Sequence, residues 1–165
     1  MGERKDSSWI GAVIVASVLG ILATSIALPD RIATHFDGTG AANGFMTRGP
    51  YLGLMALLAV VVPTFVLFSV RGAMRRASDR INIPNREYWL KPERREEAMH
   101  WLLAHAARLA AGISAFAFLL HLVLIRANGS VPPRLEPSVG AALLGCSVAG
   151  VLLWALLLMR HFRRP

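Results

Sequence analysis

Residues 9–28 read WIGAVIVASVLGILATSIAL. The run holds no charged side chain, and its polar groups are Ser17, Thr24 and Ser25. A helix rises about 1.5 Å per residue, so about 20 such residues cross the roughly 30 Å of hydrocarbon in a bilayer. A helix in a soluble core would show a polar stripe over that length, and this one shows none.

Three more runs have the same character: Tyr51 to Val70, Trp101 to Ile125 and Val139 to Met159. Arginine is nearly absent from them and abundant between them. The whole-chain values, 55% apolar with a net charge of +8, average over these two populations. The sequence therefore predicts an all-α integral membrane protein with four transmembrane helices in a single domain over residues 1–165. Ser25-Ile26-Ala27 has the small-x-small form of a signal-cleavage site. The apolar run nevertheless exceeds the about 7 to 15 residues of a secretory signal, so the first helix is expected to be retained.

The basic residues predict the orientation. Arg71, Arg75, Arg76, Arg80, Arg86, Lys91, Arg94 and Arg95 crowd the middle loop, 71–100. Arg4 and Lys5 precede the first helix, and Arg160, Arg163 and Arg164 follow the last. The other two connectors carry Arg31, Arg48, Arg126 and Arg134. The positive-inside rule places both termini and the middle loop in the cytoplasm, with the segment between helices 1 and 2 outside. The same bases suit anionic headgroups, and they accompany no nucleic-acid-binding module, so the bilayer is the expected partner and nucleic acid is not.

Small residues recur every fourth position in the first helix at Ala12, Ala16, Gly20 and Thr24, and in the third at Ala107, Ala111 and Ala115. The fourth helix carries Ala141, Gly145 and Ala149 beside Ala142, Cys146 and Gly150. Apolar area alone does not drive helices together in lipid, so slim faces predict close packing, within one chain or across a homo-oligomer. The lone Cys146 is read as one of these packing residues. Pro63 removes a backbone donor inside the second helix and predicts a kink.

Pro92 is suited to the first position of a helix, and Glu93, Glu96 and Glu97 suit its first turns. The third helix is therefore expected to begin near Pro92 and to protrude from the bilayer, with Tyr88 and Trp89 as interfacial anchors. Arg108 precedes Arg126 by 18 residues, roughly 27 Å, so it can snorkel to the inner interface. The rival reading, a buried intramembrane charge, would make Arg108 a functional residue.

Between the first two helices lies PDRIATHFDGTGAANGFMTRGP, residues 29–50, polar and rich in turn residues. Asp37-Gly38 and Asn43-Gly44 signal turns, which predict a folded outer cap. If extended, the segment puts His35 and Asp37 on one side. With His121 near the outer end of the third helix, these are the candidate ligand or partner residues, together with Arg108. Asp30, His35, Asp37 and His121 lack metal-ligand spacing, and Glu97 with His100 is read as a solvated helix face, so no metal is expected. No phosphate loop, nucleophile elbow, His-Glu-x-x-His or Cys-x-x-Cys is present. The expectation is a non-enzymatic protein without a cofactor.

LPDRIATHFDGTGAANGFMTR, residues 28–48, resembles the pattern of a bacterial membrane domain of unknown function: Leu28-Pro29, Ile32, Thr34-His35, Phe36, a glycine turn and Arg48. That pattern often has a proline where this chain has Ala33. IPNREYWLKPERREE, residues 83–97, is similar to the middle segment of its short members. The domain also opens the immunity proteins against the sporulation-delaying toxin, which carry further membrane helices after it. The resemblance implies the membrane domain in a bacterial inner membrane, with its outer loop, rather than toxin immunity itself. The leading expectation is binding of a membrane-active peptide or another membrane protein. The alternatives are a signalling or immunity component whose basic middle loop holds a cytoplasmic regulator, and a small transporter or membrane enzyme using Arg108, His105 or His121.

Overall fold

This computed structural model describes residues 3–75 and 81–163, with side chains over 9–73 and 81–163. Of the bases used above to orient the chain, Arg76, Arg80 and Arg164 lie outside the described residues, as do the side chains of Arg4, Lys5 and Arg75.

Helix α1 (Glu3–Thr24) ends in a short 3-10 turn, Ser25–Ala27. Strands β1 (Arg31–Phe36) and β2 (Ala42–Thr47) follow. The second long helix is built from α2 (Arg48–Ala56), a π turn (Leu57–Val61) and α3 (Val62–Arg75). A one-turn helix, α4 (Arg86–Trp89), leads into α5 (Pro92–Asn128), and α6 (Pro137–Phe162) completes the set. Four spans are long and apolar enough to cross a membrane: Trp9–Ala27, Arg48–Ala73, Pro92–Asn128 and Pro137–Phe162. The chain is thus a multi-pass membrane protein. Helix α5 starts at Pro92 as its proline and acids foretold, and at 37 residues it is roughly 55 Å long, well beyond the hydrocarbon thickness.

The fold is not wholly helical. The segment expected to be a folded outer cap in an all-α protein is an antiparallel β-hairpin that pairs Arg31 with Thr47, Ile32 with Met46, and Phe36 with Ala42. Asn43-Gly44, read as a turn, lies inside β2. A Cβ on Gly44 would come within 2.9 Å of the His35 Cβ, so glycine here lets His35 lie across the neighbouring strand, and the register shifts on both sides of His35.

Helices α1 and α3 pack on α5, which is the axis of the bundle. One buried cluster near the hairpin joins Ile21, Leu28, Ile32, Tyr51, Met55, Ala59, Ala117 and Leu124. A second, at the opposite end, joins Ile81, Ile83, Ala98, Met99 and Phe162. The slim face of α5 is Ala106, Ala110, Ala111, Ser114 and Ala117, all buried, while Ala107 is half-buried and Ala115 exposed. Small residues there let the neighbours approach closely. The α6 stripes do not pack in this way: Ala141, Ala142, Gly145, Cys146, Ala149 and Gly150 are all exposed.

Pro63 is fully buried and supplies no N–H, so the Ala59 carbonyl four residues back loses its helical donor. The π turn sits directly before it, and the Ser114 hydroxyl, buried on α5, donates to the Ala59 carbonyl at 2.9 Å. A hydroxyl from a neighbouring helix is one of the means by which a hydrocarbon interior tolerates proline.

Candidate functional site

The hairpin is fixed at two places, at β1 by the end of α5 and at its turn by the connector between α5 and α6. Asn128, the last residue of α5, uses its side-chain amide as a strand would use its backbone. Its Oδ1 accepts the Ala33 N–H at 2.8 Å, and its Nδ2 donates to the Ala33 carbonyl at 3.0 Å and to the Leu124 carbonyl at 2.8 Å. A proline at position 33 would have no N–H for this pairing. At the turn the Leu135 N–H donates to the Gly40 carbonyl at 2.9 Å, and the Arg134 guanidinium donates to the Thr39 carbonyl at 3.2 Å. Gly40 has φ +85°, and a Cβ there would strike the Leu135 carbonyl oxygen, so glycine is required on both counts.

Arg48 closes the base of the hairpin. Its guanidinium donates to the Leu28 carbonyl and, at 3.3 Å, to the Ile26 carbonyl. These belong to the residues where the first helix ends, and carbonyls at a helix end lack intrahelical donors.

Below the hairpin, three elements meet at His121. The Tyr51 hydroxyl lies 2.7 Å from His121 Nδ1, and Thr24 Oγ1 lies 3.0 Å from Nε2. Thr24 spends its single proton on the Gly20 carbonyl at 2.6 Å. Thr24 Oγ1 must therefore accept from His121, which puts the imidazole proton on Nε2 and leaves Nδ1 to accept from Tyr51. The hydrogen bonds thus run in one direction, from Tyr51 through His121 and Thr24 to Gly20, and tie α2 and α1 to α5. Tyr51 and His121 are both fully buried.

The four candidate residues do not form one site. His35 is exposed on β1, its Nδ1 3.3 Å from the Thr34 hydroxyl. Asp37 is exposed too, but it lies in the turn and not on the strand. Its Oδ1 accepts from the Thr39 hydroxyl at 2.7 Å, the Thr39 N–H at 2.8 Å and the Ala41 N–H at 3.1 Å. These hydrogen bonds, the Thr39 hydroxyl foremost, hold the Asp37 carboxyl below its ordinary pKa. His121 is sealed beneath the hairpin, and Arg108 is exposed on α5 near the opposite end. Among the described residues no group of three or more His, Cys, Asp or Glu side chains is placed to hold a metal ion.

At that opposite end a column of rings joins α4, α5 and the end of α6. Trp154, His105, Trp101, His161 and Trp89 stack in that order, with centroids 4.8, 4.4, 3.9 and 5.3 Å apart. His105 and Trp154 also exchange ring-to-carbonyl hydrogen bonds at 3.0 and 3.1 Å. Trp89 donates to the Phe162 carbonyl at 3.2 Å, so it serves as a clasp on α6, while Arg94 lies over the Tyr88 ring at 4.1 Å.

Residues 12–60 match the family model described as Domain of unknown function (DUF1648). The matched segment takes in most of α1, the whole hairpin, α2 and part of the π turn. It contains Arg48 with both its carbonyl partners, and Thr24, Ala33 and Tyr51, whose α5 partners His121 and Asn128 lie outside it. No curated protein and no solved structure matches the chain.

Sequence reasoning missed Tyr51, Asn128, Ser114 and the ring column. Trp101 and His105 stand four apart, one helical turn, as do Trp154 and His161 at seven, two turns, so a scan for aromatic and imidazole residues on one face would have found the column.

Proposed function

We propose that this chain is a multi-pass protein of the bacterial inner membrane that acts by binding, not catalysis, and presents its hairpin outside the membrane to a membrane-active peptide or another membrane protein. The observation that carries this reading is a hairpin pinned at Ala33 and at Gly40 while Arg31, His35 and Phe45 stay exposed. The Arg31 guanidinium sits over the Phe45 ring at 4.8 Å, which gives the face one cationic-aromatic pair. A pre-ordered surface of that kind binds with little ordering cost. The orientation follows from the bases of the middle loop and the α6 end, which suit the cytoplasmic side.

The test is a photo-crosslinker at position 45 of the full chain in its own membrane. A discrete adduct that fades when Arg31→Ala and His35→Ala are combined supports the reading. Absence of any adduct across growth conditions, with the protein present at normal level, contradicts it.

A further inference from the structure

Beside the ring column, open space lies between α5 and α6. Two volumes lie there. A cleft of about 470 Å³ is lined by Trp101, His105, Arg108, Leu157, Arg160 and His161. A groove of about 520 Å³ shares His105, Arg108 and Leu157 with it and continues between the helices past Gly112, Phe116, Cys146 and Gly150. The two adjoin at those three residues and are read together as a slot, polar and cationic at the end of the bundle and apolar toward its middle. No acidic residue lines either part.

The dimensions suit one kind of molecule. From His105 to Phe116 along α5, and from Leu157 to Cys146 along α6, the groove runs roughly 16 Å. That is about half the roughly 30 Å hydrocarbon layer, the reach of one acyl chain. The mouth offers two exposed guanidinium groups, Arg108 and Arg160, which suit a phosphate. The His161 ring, stacked between Trp101 and Trp89, forms one wall of the mouth, with Glu97 within electrostatic reach behind it. Gly112 and Gly150 face open space, since a Cβ on either meets nothing within 4 Å, so the groove is shaped by missing side chains as well as by those present.

We infer that this slot is the binding site of one anionic phospholipid drawn from the surrounding bilayer, its phosphate between Arg108 and Arg160 and one acyl chain along Gly112 and Gly150. Basic pockets between helices at a membrane face bind anionic headgroups by the same physics. The inference rests on the membrane placement of the four helices and does not depend on what the hairpin binds. It gives Arg108 a ligand, where snorkelling alone would give it only water.

The test titrates phosphatidylglycerol, and phosphatidylcholine of the same chains, into the delipidated full-length protein in detergent, with bound lipid read by native mass spectrometry. The wild-type protein is expected to prefer phosphatidylglycerol. Arg108→Gln and Arg160→Gln should each lower that preference roughly fivefold, the worth of one arginine beside an anionic lipid. Gly150→Leu should weaken both lipids by filling the groove, while Arg126→Gln, at the other end of α5, should change nothing. Excess inorganic phosphate should not displace the lipid. Equal binding of the two lipids by the wild type would overturn the inference. So would a preference that survives the double glutamine variant, an equal loss in Arg126→Gln, or displacement by phosphate alone.

Discussion

Asn128→Leu tests whether the hairpin is held by the bundle or merely lies beside it. The substitution keeps the branched heavy-atom skeleton of asparagine and removes both bonds to Ala33 and the one to Leu124. Ala33 is fully buried, so its N–H and carbonyl gain no water in exchange. A buried backbone group left without a partner costs about 1–3 kcal/mol. Two such groups, with some relaxation of the strand, put the local loss at about 2–4 kcal/mol. At about 1.4 kcal/mol per factor of ten, the Ala33 amide should exchange its hydrogen roughly 30- to 1,000-fold faster, provided local opening limits exchange. Amides on the α5 side of the bundle, such as Ala110, should keep their wild-type rates. Asn128→Asp retains the acceptor for the Ala33 N–H and should fall between the two. The measurement is amide exchange on the protein in nanodiscs. Wild-type exchange at Ala33 in Asn128→Leu would refute the pinning.

Three other outcomes follow from the geometry. Ser114→Ala should destabilise the protein by about 1–2 kcal/mol, because the Ala59 carbonyl loses its substitute donor, but by much less in a Pro63→Ala background, where a backbone N–H returns; a double-mutant cycle in mixed micelles reads the difference. Asp37 has a carboxyl pKa depressed below 3.8, so its contribution to the turn is complete above that value and is lost as pH falls through the lower folded value. Protection of the Thr39 and Ala41 amides, relative to their intrinsic exchange rates, should therefore fall in acid, and Asp37→Asn should flatten that pH dependence. His121 should show the Nε2-protonated tautomer by nitrogen NMR, with the Nδ1 resonance moving in Tyr51→Phe as it loses its donor; the opposite tautomer would reverse the direction of the hydrogen-bond chain.

The membrane helices were legible because length and apolarity alone decide them, and the start of α5 because Pro92 and its acids mark a helix end independently of packing. The hairpin was not. Its strands are six residues each, the Asn43-Gly44 step has the composition of a turn, and the signal that glycine marks a close approach of His35 exists only once the strands pair. The small-residue pattern told that α5 has a slim face but placed it partly one residue off, since Ala106 and Ala110 stand four apart just as Ala107 and Ala111 do. It also marked stripes on α6 that no described helix covers. Asn128 with Ala33 and Ser114 with Ala59 join residues 95 and 55 positions apart, and no local pattern announces such partners. Asp37 had the residue type of a ligand, but its carboxylate is taken up by its own turn.

The proposed orientation puts the pinned hairpin on the outer face of a four-helix membrane protein. It is tested most directly by single cysteines in a Cys146→Ala background, at Phe45 on the hairpin and at Asn82 beyond the opposite end of the bundle, both exposed. Intact cells are treated with a membrane-impermeant maleimide. Labelling at position 45 without permeabilisation, and at position 82 only after it, is the predicted result. The reverse pattern, or free labelling of both sites in intact cells, would contradict the account.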